Sequence, residues 1–209
     1  MVTSTSSEQP EPKSAKGRRT RQQLLAAAKL VFEERGYFET RVTDIVERGE
    51  VALGSFYRYF TNKDDLLLAL LEAVTAELYQ STQGLWDREL DTRTNLQRTT
   101  EGYLAAYRRN GRLIRALLQM SAVSPRCAAA WWELRQRTYQ LMTEHLPPAA
   151  VRDPGGALTV SALAGMVEQF ARHWYVEAPE NGHAAPEPAA ASQVLAALWY
   201  DAAYRPSGA

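Results

Sequence analysis

Between Thr20 and Phe60 the apolar residues are spaced as three short helices joined by tight turns, and that arrangement leaves few folds open. Leu24, Leu25, Ala28, Val31 and Phe32 recur at helical spacing. Thr20 with Gln23 three residues on is a capping-box pattern that predicts the helix start. Gly36 predicts its end, because glycine enters the left-handed conformation at little cost. A second helix is expected from about Val42 to Arg48, and a third from about Leu53 to Tyr59. Three such helices form a helix-turn-helix module: the second packs on the first, while the third stays free to enter a major groove about 12 Å wide.

On a helical wheel of the third segment, Phe56 and Phe60 share a face with Ala52 beside them, and that face is expected to be buried. Gly54 and Arg58 point the opposite way, flanked by Ser55 and Tyr57, with Tyr59 near the boundary. A glycine that lets the backbone approach closely, with hydroxyl and guanidinium donors around it, suits phosphate oxygens and base edges. Asn62 is expected to cap a fourth helix, with Asp64 and Asp65 near its positive end. Lys63 stands where a phosphate contact would gain from that helix N-terminus.

The rest of the chain also reads as helices. One runs from Asp91 to about Arg109 and is broken by Asn110-Gly111; a shorter one follows through Met120. Ser124-Pro125 and Asp153-Pro154 each put a cap before a proline at the first helical position, where the missing N–H costs nothing. The second of these opens a long segment ending near Glu177. Residues 178–188 read as a loop, and a last helix spans about Ala189 to Tyr204. No strand pattern or internal repeat is visible, so the expected fold is all-α with about nine helices. Residues 1–17 read as a disordered arm whose end is basic, with Lys13, Lys16, Arg18, Arg19 and Arg21 in a run free of acids. Such an arm can add phosphate contacts.

The 24 basic and 24 acidic residues cancel, so nucleic-acid binding must rest on local charge. A lone cysteine, Cys127, excludes an internal disulfide framework. His145, His173 and His183 are scattered, and no cluster has metal-ligand spacing, so neither a metal nor a cofactor is expected. There is no apolar leader and no apolar stretch near the roughly 20 residues that cross a bilayer, so a cytoplasmic protein without membrane contact is expected.

The run from Thr20 to Leu71 resembles the TetR family of bacterial repressors. The matching pieces are Leu25-Ala26-Ala27-Ala28 with Phe32 and Gly36-Tyr37, then Thr40 with Val42, Asp44 and Ile45. Gly54-Ser55-Phe56-Tyr57-Arg58-Tyr59-Phe60 comes next, with Asn62-Lys63-Asp64 and Leu66. The resemblance implies phosphate contacts from Thr40 and Arg41, groove-facing roles for Leu53, Gly54, Ser55 and Arg58, and backbone contacts from Tyr57, Tyr59 and Lys63. Three positions depart from the pattern: Gly49-Glu50 stands where Ala-Gly is usual, Ala52 where Ser or Thr is usual, and Arg41 replaces a common threonine. Alanine cannot cap, which costs roughly 1 kcal/mol at that helix start.

The resemblance also implies a division of labour: residues 18–64 bind DNA, and residues 65–209 bind an inducer and dimerise. Tyr103, Tyr107, Trp131, Trp132, Tyr139, Met142, Met166, Phe170, His173 and Trp174 make these helices aromatic enough to line an apolar cavity, or an ordinary core. The last two helices, with small residues such as Ala157, Ala164, Gly165 and Ala196, would pair with their copies in a homodimer. The expected protein is a repressor that binds a palindromic double-stranded operator and is released by a small, hydrophobic ligand. Alternatives are an activator or ligand-independent regulator of the same fold, and an interaction protein that does not bind DNA. An enzyme using His173 with Glu168 or Glu177 would lack any nucleophile, phosphate loop or metal set.

Overall fold

Ser14 rather than Thr20 starts the first helix: its Oγ accepts from the Gly17 amide at 3.0 Å, and the helix runs without interruption from Ala15. Thr20 lies inside, its hydroxyl donating back to the Lys16 carbonyl. The expected arm therefore stops short of residue 15, because an earlier serine satisfies the free amides of the first turn. The computed structural model describes residues 12, 14–144 and 154–204; Lys13, the remainder of the arm and Asp153 lie outside the described residues.

Every described element is helical. In chain order these are α1 (Ala15–Arg35), α2 (Val42–Arg48), α3 (Leu53–Tyr59), α4 (Lys63–Gln80), α5 (Thr92–Arg109), α6 (Gly111–Ser121), α7 (Pro125–Glu144), α8 (Pro154–Arg172) and α9 (Pro188–Ala203). The end of α8 widens into a π-helical turn, His173–Glu177, followed by a single turn, Ala178–Glu180, that takes up the start of the expected loop. Two of the expected caps are in place. Asn62 Oδ1 accepts from the Asp65 amide at 2.9 Å, and Asp91 Oδ1 accepts from the Thr94 amide at 3.1 Å. The α5–α6 break falls at Asn110, as its Asn-Gly pair predicts.

The chain divides into two compact units. One holds the residues through Thr75 together with Arg112–Glu133; the other holds Ala76–Gly111 together with the residues from Leu134 on. These packing units are distinct from the functional division after residue 64 expected from the sequence. The reason lies in α4, where Leu66, Leu67, Leu68, Ala69, Leu70 and Leu71 are all buried, and a helix apolar on every side must be enclosed on every side. The head formed by α1–α3 covers only part of it, and α6 and the first half of α7 belong to the same unit. Two polar ties fix them there. Gln119 Oε1 accepts from the Tyr37 amide at 3.2 Å, and the Arg126 guanidinium pairs with the buried Asp65 carboxylate.

In the first unit the core is Leu24, Ala28, Val31 and Phe32 of α1, Ile45 of α2, Phe56 and Phe60 around α3, and the leucines of α4. Each of the larger side chains contributes about 1.5–3 kcal/mol by leaving water. In the second unit α5 and α9 pack along their lengths. Leu96, Tyr103, Leu104, Ala106 and Tyr107 are buried on one, and Ala191, Leu195, Ala196 and Trp199 on the other. Two glycines set the closeness of this unit. A Cβ on Gly102 would overlap the Ser81 carbonyl oxygen, and one on Gly111 would overlap the Tyr175 carbonyl oxygen in the π-helical turn.

Candidate nucleic-acid interface

The outer face of α3 is set by the turn before it. Gly49 has ordinary right-handed backbone, with φ −85° and ψ −2°, but a Cβ there would sit 3.2 Å from Ala27 Cβ and 3.3 Å from the Ile45 carbonyl oxygen. Its glycine serves the close approach of the turn to α1. The left-handed position falls one residue later, on Glu50, at φ 51°. A side chain there costs roughly 1–2 kcal/mol relative to glycine. Ala52 then opens α3 with no side-chain cap, as its composition predicts. Ala52 itself is exposed, not buried beside the phenylalanines, because it stands at the helix mouth outside the regular turns.

Phe56 and Phe60 are fully buried, their rings 5.9 Å apart, and the Arg21 guanidinium lies over the Phe60 ring at 5.4 Å. They hold the opposite face outward. Leu53 is 45% exposed and Tyr57 54% exposed. Arg58 is exposed, and nothing approaches within 4 Å of where a Gly54 side chain would be. Ser55 and Tyr59 are half-buried at the edges of this face, and the Tyr59 hydroxyl lies near Gly17 of α1.

The flanking expected residues divide into surface and support. Arg41 is exposed at the mouth of α2, where its amide donates to Asp44 Oδ2 at 2.8 Å. The Asp44 carboxyl is held below its ordinary pKa first by that amide and then by Arg35, 3.0 Å away. Thr40 is only 1% exposed, and its hydroxyl is given to the Gly36 carbonyl at 2.6 Å. Lys63 Nζ donates to the carbonyls of Tyr37 at 2.9 Å and Thr40 at 3.0 Å and sits 4.1 Å from the centre of the Tyr37 ring. Burial lowers the pKa of this amine, against the opposing pull of Asp64 and Glu39. Two of its three protons are thus spent on the α1–α2 connection, which makes Lys63 a brace behind the face as much as a part of it.

The aromatic residues expected around a ligand are divided between the two units. Trp131 and Trp132 fall in the first unit, Trp132 being exposed; the side chain of Met142 lies outside the described residues. In the second unit Tyr103 and Tyr107 are buried with ring centres 5.8 Å apart, Met166, Phe170 and Trp174 are half-buried, and His173 is exposed beside Glu177 at 3.6 Å. Tyr139 belongs to a polar cluster that the sequence did not announce. Arg135 Nε donates to Glu168 Oε2 at 2.8 Å, Arg135 Nη2 donates to the Tyr139 hydroxyl at 3.1 Å, and that hydroxyl is 3.2 Å from Glu168 Oε2. Arg135 and Tyr139 are four apart on α7 and could have been paired from spacing alone. Glu168 comes from α8, and nothing local points to it.

An all-helical chain that buries one side of a seven-residue helix and displays the other at the end of a tight turn is a helix-turn-helix protein. Residues 24–70 match the family described as bacterial regulatory proteins, tetR family. Among curated proteins it is similar to the HTH-type transcriptional regulator HbdR of Aromatoleum sp. (strain CIB), 38% identical over 64 residues that are 31% of this chain and 27% of that one. It is also similar to the HTH-type transcriptional regulator EthR of Mycobacterium tuberculosis, 32% identical over 108 residues, 47% of this chain and 49% of that one. The chain thus spans between about a quarter and a half of these relatives' length. Among solved structures, a TetR-like transcriptional regulator from Rhodococcus sp. RHA1 superposes with a TM-score of 0.67 at 25% identity, over 87% of this chain and 94% of that one. These relatives carry the names of regulators, not enzymes. No helix among the described residues is long and apolar enough to cross a membrane.

Proposed function

We propose that the chain is a cytoplasmic transcriptional repressor that binds a palindromic operator as a homodimer and is released by a small, hydrophobic ligand. Residues 18–64 bind DNA in this reading, and residues 65–209 bind the ligand and pair the subunits. The observation that carries it is the outward face of α3, where Leu53, Gly54, Tyr57 and Arg58 stand exposed on a helix whose other side is locked by Phe56 and Phe60. Arg58, Ser55 and Gly54 read base edges, Arg41, Tyr57 and Tyr59 meet the phosphate backbone, and Thr40 and Lys63 act mainly by fixing the α1–α2 connection behind them.

A palindrome needs two such helices one DNA turn apart, or a multiple of it. The second copy pairs through α8 and α9. Leu158 is 73% exposed on the first, and Val194 and Leu198 stand exposed one helical turn apart on the second. Isolated apolar side chains at a surface are ordinary, but a stripe along adjoining elements marks a protein contact. Ligand binding then favours a spacing of the two heads that mismatches the operator, and α4, which runs from Lys63 at the head to Gln80, transmits it.

The test is fluorescence anisotropy on a palindrome selected from random duplex DNA. Wild-type affinity is expected to fall about 10³-fold or more between about 50 and 200 mM salt, as for several neutralised phosphates. Arg58→Ala should flatten the preference among operator variants, while Arg41→Ala should weaken all of them alike. Equal, sequence-independent losses from both would remove base reading from Arg58. A monomer at micromolar concentration by sedimentation would remove the dimer.

A further inference from the structure

Tyr107 lies in the middle of the second unit on α5 and is 1% exposed. Its hydroxyl is enclosed and has no hydrogen-bond partner among the described residues. Buried polar groups are nearly always paired, with protein or with a bound molecule, so this exception calls for a partner. The groups whose charges reach this hydroxyl are Glu168, Arg172, Arg135 and Glu177. They are already matched: Arg135 with Glu168, and Arg172 with Glu177 at 2.8 Å. Two arginines and two glutamates sum to zero around it. A carboxylate arriving there would find no spare cation, and an ammonium would have to take Glu168 from both Arg135 and Tyr139. Burial also raises the phenol's pKa well above its ordinary value of 10.0, so the group keeps its proton and acts as a donor. What it lacks is an acceptor.

We propose that Tyr107 is the ligand-recognising hydroxyl of the second unit, and that it donates to a carbonyl or ether oxygen of an uncharged, mainly aromatic or aliphatic molecule. The buried Tyr103 ring beside it supplies an apolar surface for the body of that molecule. This rests on the reading above that the unit holds a releasing ligand, and narrows it to neutral acceptors.

The probes are three molecules of one shape: 2-acetylnaphthalene, 2-ethylnaphthalene and 2-naphthoate. Each is titrated into the full-length wild-type protein and into Tyr107→Phe by equilibrium dialysis, with the melting temperature of both proteins recorded in parallel. The wild type is expected to bind the ketone about tenfold or more tighter than the hydrocarbon, the ratio that one directed hydrogen bond supplies, and tighter than the carboxylate. Tyr107→Phe should melt at the same temperature or higher, since it loses only an unpaired group, and should bind ketone and hydrocarbon alike. A ketone preference that survives in Tyr107→Phe overturns the assignment. So does a lowered melting temperature, which would give the hydroxyl an internal partner. Equal binding of ketone and hydrocarbon by the wild type sinks the role of Tyr107 but leaves the ligand site standing. Tightest binding of the naphthoate sinks the neutral class. If none of the three binds, the ligand-site reading falls together with this one.

Discussion

The two units meet the same need, a buried core under a polar surface, by different means. Around α2, α3 and the start of α4, several decisive neighbours are close in sequence. Phe56 packs with Phe60, Asn62 caps Asp65, and the Arg41 amide binds Asp44. In the second unit the decisive neighbours are remote. Gly111 makes room for the Tyr175 carbonyl, Glu168 of α8 receives Arg135 and Tyr139 of α7, and Arg108 of α5 meets Glu187 at 2.7 Å. A local architecture leaves its signature in a short stretch of sequence. A remote one leaves it only in the folded chain.

The comparison can be broken by substitutions of graded strength. The largest effect is expected at Phe56→Ala, which empties a fully buried site under α3 and should cost about 3–5 kcal/mol by thermal or urea unfolding. A loss below about 1 kcal/mol would mean that the head is not organised around this ring. Gly111→Ala comes next, at about 2–3 kcal/mol, because the added methyl meets backbone rather than a flexible side chain. A neutral result would show that the π-helical turn yields easily and that Gly111 is not what sets this remote contact. Glu50→Gly should act in the other direction, stabilising by about 0.5–1 kcal/mol, since relief of the left-handed backbone outweighs the extra freedom of an unfolded glycine. A destabilised variant would assign the Glu50 side chain a role beyond the turn.

The smallest effect is in acid. The Asp44 carboxyl in the head is lowered first by the Arg41 amide, Asp91 by Thr94, and Glu187 by Arg108. A lowered carboxylate contributes stability that is complete above its unfolded value, 3.8 for the aspartates and 4.5 for the glutamate, and is lost as pH falls through the lower folded value. Unfolding midpoints measured from pH 6 down to pH 2 should therefore drop mainly below about pH 4.5, and Asp44→Asn should flatten part of that slope. An unchanged slope would leave the Asp44 cap without weight.

How far the sequence could be read follows the same division. The bounds of α2 and α3, the uncapped start at Ala52, the caps at Asn62 and Asp91 and the break at Asn110 are all decided by a residue and its neighbours within a turn. The exposed and buried sides of α3 follow from its periodicity, except for Ala52, which precedes the regular turns. The resemblance turns Thr40 and Lys63 outward, because it groups them with surface positions. Their real neighbours, the carbonyls of Gly36, Tyr37 and Thr40, depend on how the α1–α2 connection folds back. The ties of Gln119 to Tyr37 and of Arg126 to Asp65 and the polar cluster at Glu168 join residues more than 25 positions apart, which periodicity cannot supply.

The meeting of Gly111 with the π-helical turn has a consequence for how such chains can diverge. A π turn carries one residue more than the α turn it replaces. Removing one residue from 173–177 would restore ordinary winding and rotate the next segment of chain by about 100° about the axis. That would withdraw the Tyr175 carbonyl from Gly111 and free the position for a side chain. The extra residue of the turn and the glycine are thus sterically coupled. Relatives that keep the glycine should keep the extra residue, and those that have lost one should tolerate the loss of the other.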